Sequence, residues 1–260
     1  MKQASKHKKR TIDNNEIARQ LVAMAKELIS QDEQEEDGSI FTAGIDVASV
    51  TLTAARKYAE DAFSKANIDL EKALPDFDEN FALLKSKMSS AKDIPRVQMP
   101  VIEPGDMALF NKRLKEGSID IFKPFSKGKF HAPKTLSGKQ GKEWVSLGFQ
   151  DGDKSDDRLG ASLKNMAAKK MKPTQSQIWF DKIINNIIKF GVPASGGFIT
   201  SQTIITSKEG FILDGHHRFG QVMMADPSIG MKVLEVPLKI DLLVRIGKSY
   251  GEAIGNKSKA

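Results

Sequence analysis

The sequence predicts an α+β protein, with a small mixed module in the C-terminal third and a helical region before it. Three observations carry that reading. Apolar residues recur at helical spacing through roughly the first ninety positions. Two short β-prone runs, Thr203-Ile204-Ile205 and Phe211-Ile212-Leu213, are separated by a segment ending in Gly210, the pattern of a hairpin. A strongly apolar helical stretch precedes that pair, and a second helical pattern follows it. The chain therefore divides into a basic tail and helical region over 1–92, an extended, loop-rich connection over 93–169, and the mixed module over 170–250.

Residues 1–10 read as a basic tail. From 14 to 30, Ile17, Leu21, Met24 and Leu28 share one helical face, and an acidic stretch over 32–37 ends it. The spacing of Val47, Ala54, Tyr58, Ala62, Ala66 and Leu70 predicts one helix over 46–73, closed by Pro75. A shorter helix over 79–88 follows through Phe81, Leu84 and Met88. Residues 94–104 are extended and punctuated by proline. A helix over 105–116 turns Phe110 and Leu114 inward. Lys, Gly, Ser and Asp dominate 123–160, which reads as loop, with His131 and Trp144 as isolated features.

In the module, residues 178–190 form an isoleucine-rich helix with Gly191 placed to cap it. The hairpin comes next, then a helix through Phe219, Val222 and Met223 that Asp226-Pro227 stops. The alternation from Val233 to Ile246 predicts one or two strands.

Composition narrows the function classes. The sequence has 260 residues and a formal charge of +7. Its Lys and Arg gather at the tail, at 164–172 and near the C-terminus rather than in one stripe. Such a surplus fits phosphate-bearing partners, nucleic acid among them, and equally fits a lysine-rich surface. Cysteine is absent, which excludes disulfides, thiol nucleophiles and thiolate metal sites. With four histidines, His7, His131, His216 and His217, a histidine-rich zinc centre is not expected. No run of about 18 apolar residues occurs, so no membrane span is expected. No apolar stretch follows the basic start as in a secretory signal, and the expected location is cytoplasmic.

The chemistry concentrates at Asp214-Gly215-His216-His217-Arg218, where a short strand opens into a helix. Glycine lets the backbone approach a ligand without a Cβ. A helix start offers amide donors and the positive end of the dipole to an anion. Arg218 supplies a planar fork suited to phosphate oxygens, and His216 and His217 can donate hydrogen bonds or move protons. Adjacent side chains at a helix start diverge, so one histidine is expected to face a ligand and the other to pack. As a purely structural turn, Asp214 would be an N-cap.

Strand, Gly-x-x-Arg turn and helix, in this order of elements, resemble the ParB/sulfiredoxin-like superfamily, including its free serine kinase branch. The resemblance covers roughly residues 170–246 and looks most like kinase-type and phage-encoded members; the partitioning proteins usually carry Gly-Glu-Arg-Arg. It implies that Gly215, His216, His217 and Arg218 bind the phosphates of ATP or CTP; Lys172 is either a further phosphate contact or one of several surface lysines with Lys164, Lys169 and Lys170. Asp214 would hold Mg²⁺, and Asp214, His216 and His217 would be the catalytic groups of a phosphotransfer to a hydroxyl acceptor. For a phage-encoded member the location would be the host cytoplasm.

Departures from the family pattern qualify this. Sulfiredoxins need a cysteine where His216 stands, so sulfinate repair is excluded. The kinase branch places a carboxylate before the first module helix, where this chain has Thr174, Gln175 and Gln177; Glu103, Asp181 and Asp214 are the substitutes. Fourteen residues follow Ile246, too few for the helix-turn-helix of a partition protein. A ParB-like DNA-binding or nuclease-type protein is the alternative expectation, and a structural or virion-associated protein with a relic module is the second.

Overall fold

A computed structural model describes residues 44–95, 98–102, 104–115, 161–175 and 177–253. The basic tail, the helix over 14–30, the acidic stretch, Glu103 and the loop with His131 and Trp144 lie outside the described residues. Among the described residues four helices come first: α1 (Leu52–Lys65), α2 (Leu70–Ala73), α3 (Phe77–Ser89) and α4 (Pro104–Lys115). The order then runs β1 (Ser162–Ala167), α5 (Phe180–Phe190), α6 (Phe198–Ser201), β2 (Ile204–Ser207) and β3 (Ile212–Asp214). It closes with α7 (His216–Ala225), β4 (Gly230–Val236) and α8 (Ile240–Ala253). No helix among the described residues is long and apolar enough to cross a membrane.

The four strands form one mixed sheet in the order β1-β4-β2-β3. The hairpin of β2 and β3 is antiparallel, β4 runs parallel to β2, and β1 runs antiparallel to β4. Side chains alternate across the sheet. Ile204, Met231 and Val233 enter one core with α1, α3, α5 and α7, through Phe63, Phe81, Ile183 and Phe219. Ile205, Leu234 and Val236 enter a second core with Phe110 of α4 and Leu243 of α8. The predicted α+β class is therefore correct, with helices covering both faces of the sheet.

Three local expectations change. The single helix over 46–73 is divided. Thr51 caps α1 by accepting from the Ala54 amide at 3.2 Å, and Asn67 takes a left-handed φ of 57° before Asp69 caps α2. The apolar spacing runs on because both helices pack on one core, so the period alone does not show the break.

Strand structure does not extend through 233–246. β4 ends before Pro237, which has no amide to continue a ladder, and α8 follows with Ile240, Leu243 and Val244 buried at helical spacing. Finally, β1 forms inside the stretch read as a loop-rich connection. Its first four residues are exposed, so an edge strand leaves little apolar alternation to read.

One buried polar residue links the first helices to the motif helix. Asn80 of α3 is 7% exposed, and its Nδ2 donates to the carbonyls of Met224 (3.1 Å) and Ala225 (3.3 Å) at the end of α7. Asn80→Ala leaves those C-terminal carbonyls without that donor. It is expected to cost about 1–3 kcal/mol in urea denaturation.

Candidate functional site

β2 starts and β3 ends at the same end of the sheet, because the two strands are antiparallel. This brings Thr203, Asp214, Gly215 and the first turn of α7 together. Gly215 precedes the helix with φ 103° and ψ 24°, in the left-handed region. Its neighbours also require glycine, since a Cβ there would lie 2.8 Å from Ile204 Cγ1 and 3.2 Å from Arg218 Nη2. No side chain caps α7, and Phe219 is the residue whose amide returns to the Gly215 carbonyl, at 2.9 Å. Asp214 is therefore not the cap of the helix; its carboxylate is engaged elsewhere.

That partner is Arg218. Nη2 donates to Asp214 Oδ2 at 2.6 Å, and Nη1 donates to the Thr203 carbonyl at 3.3 Å. The arginine folds back over Gly215 and ties the start of β2 and the end of β3 to the first turn of α7. Both side chains of the ion pair stay partly open to solvent, 26% for Arg218 and 33% for Asp214. Two guanidinium nitrogens are used in this way, and the fork has further donors to offer.

The two histidines diverge as expected. His216 is 5% exposed, and its Nε2 accepts from the amides of Thr174 (3.1 Å) and Gln175 (3.3 Å). An accepting Nε2 carries a lone pair, so the ring holds its proton on Nδ1. His216 thus fastens the segment before α5 to the first turn of α7. His217 is half-buried in the same turn.

Lys172 belongs to the segment that His216 holds. The backbone here runs beside β3: the Lys172 amide donates to Gly210 and its carbonyl accepts from Ile212, both at 2.9 Å. Its ammonium lies 5.1 Å over the Phe211 ring. The Lys87 amine is held below its ordinary range by burial first and then by the Lys172 charge.

The substitute carboxylates fare differently. Asp214 lies in the motif. Asp181 Oδ1 accepts from the Ile45 amide at 2.9 Å, in the first turn of α5. The Thr174 and Gln175 positions are buried, with their amides turned to His216. Among the described residues no three of His, Asp and Glu gather as metal ligands. Magnesium commonly keeps one or two carboxylates and takes its remaining ligands from phosphates and water, and Asp214 alone fits that donor set.

Sequence reasoning finds the turn, the glycine and the arginine. It misses three backbone partners, the Thr203 carbonyl for Arg218 and the Thr174 and Gln175 amides for His216. Backbone groups carry no sequence signature, so nothing in the residue types points to them.

Comparison with protein-family models, with curated proteins and with solved structures finds no match to this chain.

Proposed function

We propose that the Asp214–Arg218 turn binds the phosphates of a nucleotide, ATP or CTP with Mg²⁺, and serves phosphotransfer to a hydroxyl acceptor. One observation supports this most: the left-handed Gly215 at the positive end of α7, with the Arg218 guanidinium folded over it. A phosphate needs close backbone approach, a helix start and a planar cation, and these three lie within four residues. The resemblance to ParB/sulfiredoxin-like kinases supplies the choice of nucleotide.

In this reading Arg218 is shared. An arriving phosphate competes with Asp214 for the guanidinium, and each displaced donor bond frees the carboxylate. Asp214 would then hold Mg²⁺ or orient the acceptor hydroxyl and take its proton. Magnesium, when bound, neutralises charge on the phosphate oxygens. His217 is the histidine assigned to the ligand. His216 acts through its hold on residues 174–175, and Lys172 reaches the phosphates from that same segment.

Calorimetric titration with ATP and CTP in the presence of Mg²⁺ tests the site. Arg218→Ala and His217→Ala are each expected to weaken binding at least about tenfold, as loss of charge-assisted hydrogen bonds does. Circular dichroism checks that both variants fold. Unchanged affinity for both nucleotides in both variants overturns the assignment. Release of ADP or CDP on adding hydroxylated acceptors tests the transfer.

A further inference from the structure

We propose that the Asp214–Arg218 ion pair makes the turn select metal-bound nucleotide over metal-free nucleotide, with Asp214 as the residue that discriminates. The inference rests on the nucleotide reading of the Gly215 turn and deepens it.

Asp214 stands to Arg218 as a phosphate would. Its Oδ2 accepts from Nη2 at 2.6 Å, a charge-assisted bond. That nitrogen is also the guanidinium nitrogen nearest Gly215, 3.2 Å from the position that a Cβ would take there. An anion brought close to the glycine backbone therefore meets the donor that Asp214 already holds. The positive end of the α7 dipole attracts a carboxylate as it would a phosphate. No acidic residue lies in the first turn of α7, so Asp214 is the acidic group nearest in sequence to that end.

Exchange at Nη2 leaves the fork in place. Nη1 donates to the Thr203 carbonyl at 3.3 Å, a neutral acceptor that a phosphate need not displace. Arg218 thus stays tied to the start of β2 while Nη2 changes partner. Both ions are partly open to solvent, so neither is locked in by dry surroundings.

What exchange cannot do is remove Asp214. It ends β3 one residue before Gly215, and its carboxylate stays beside the turn. A metal-free triphosphate then shares the turn with a second anion, and like charges at short range repel. A divalent cation on the phosphates reverses the sign of that contact, since it supplies the positive charge that a carboxylate ligates. Asp214 opposes one form of the nucleotide and holds the other.

Calorimetric titration of ATP, in EDTA and in excess Mg²⁺, into the wild type and Asp214→Asn tests this. Asparagine keeps the size of the side chain and an oxygen for Nη2 to donate to, and it removes the charge. The wild type is expected to bind metal-free ATP at least about tenfold more weakly than the Mg²⁺ complex. Asp214→Asn is expected to bind metal-free ATP at least about tenfold more tightly than the wild type does, and the Mg²⁺ complex about threefold more weakly. Opposite signs are the mark of the proposal. Equal gains for both forms overturn it, because Asp214 would then be only a nearby charge. So does unchanged affinity for metal-free ATP in Asp214→Asn. Should that variant fail to fold, the wild type decides by itself: equal affinity for the two forms overturns the discrimination, and the tenfold preference upholds it. No binding of either form by the wild type overturns both readings. The nucleotide reading alone fails by a different mark, unchanged affinity for both forms in Arg218→Ala and His217→Ala, and the proposal falls with it.

Discussion

Gly215→Ala is expected to lower stability by about 2–5 kcal/mol and to remove nucleotide binding even where the variant stays folded. Two separate penalties meet at this position. The first is conformational, because a left-handed φ of 103° costs an L-residue about 1–2 kcal/mol. The second is steric, because the new Cβ would stand 2.8 Å from Ile204 Cγ1. Ile204 is fully buried in β2 and paired with Val233 of the neighbouring strand, so it has little room to retreat. Overpacking of this kind adds about 1–3 kcal/mol.

Gly191→Ala separates the two penalties. Gly191 also has a left-handed φ, 85°, but nothing lies within 4 Å of the position of its Cβ. About 1–3 kcal/mol is expected there from the backbone alone, because φ 85° with ψ 164° is a conformation that only glycine ordinarily adopts. Urea denaturation of both variants provides the comparison. Equal losses at 191 and 215 would mean that Ile204 yields, and the turn would then not depend on close packing. Nucleotide titration of Gly215→Ala adds the functional half, since relaxing the clash must move α7 away from β2. Arg218 spans those two elements through Thr203 and Asp214.

The same turn shows how far the residues alone specify this site. Alternating β-branched runs, a glycine and an abrupt change to helical spacing mark hairpin, turn and helix, because each is a local property of the chain. The divergence of His216 and His217 follows from helix geometry in the same way. What each histidine meets does not, because Thr174 and Gln175 lie more than forty positions away and offer only backbone amides. Elsewhere, period-based reasoning fails where an apolar run suits two structures. Ile240 to Ile246 reads as strand until Pro237 is taken as its terminator, and β1 hides because an edge strand need not alternate.

The pairing of Asp214 with Arg218 is a further case. Residue types give Asp214 the role of a cap and the resemblance gives it those of metal ligand and catalytic group, whereas in the folded chain its carboxylate is bonded to a guanidinium. Yet the pair is only partly buried, so its ions are not locked together by a dry surrounding. On the proposed reading, a phosphate would exchange with the carboxylate at modest cost. Exchange of that kind would couple ligand arrival to release of Asp214, which a permanently capped helix start would not allow.

Phe180→Ala is expected to cost about 3–5 kcal/mol, a large part of the total stability of a domain. Phe180 starts α5 and is fully buried. Its ring meets Phe81 edge-on at 5.3 Å, Phe77 at 6.3 Å and Tyr58 at 6.1 Å between centroids. These partners come from α1 and α3, whereas α5 packs on α7, so the ring stands between the first helices and the motif helix. Burial also raises the Tyr58 phenol above its ordinary range, in keeping with a tight aromatic cluster. If this one core serves both parts, the variant loses helix and sheet in a single transition. Far-ultraviolet circular dichroism would then coincide with the fluorescence of Trp179, the neighbour of Phe180. Two separated transitions, with the first helices melting ahead of the sheet, would show that α1 and α3 stand apart from the module. Asn80→Ala provides an independent check, because its bonds cross the same boundary at the far end of α7. A shared core requires both substitutions to shift the one transition; independent parts would let each act on its own.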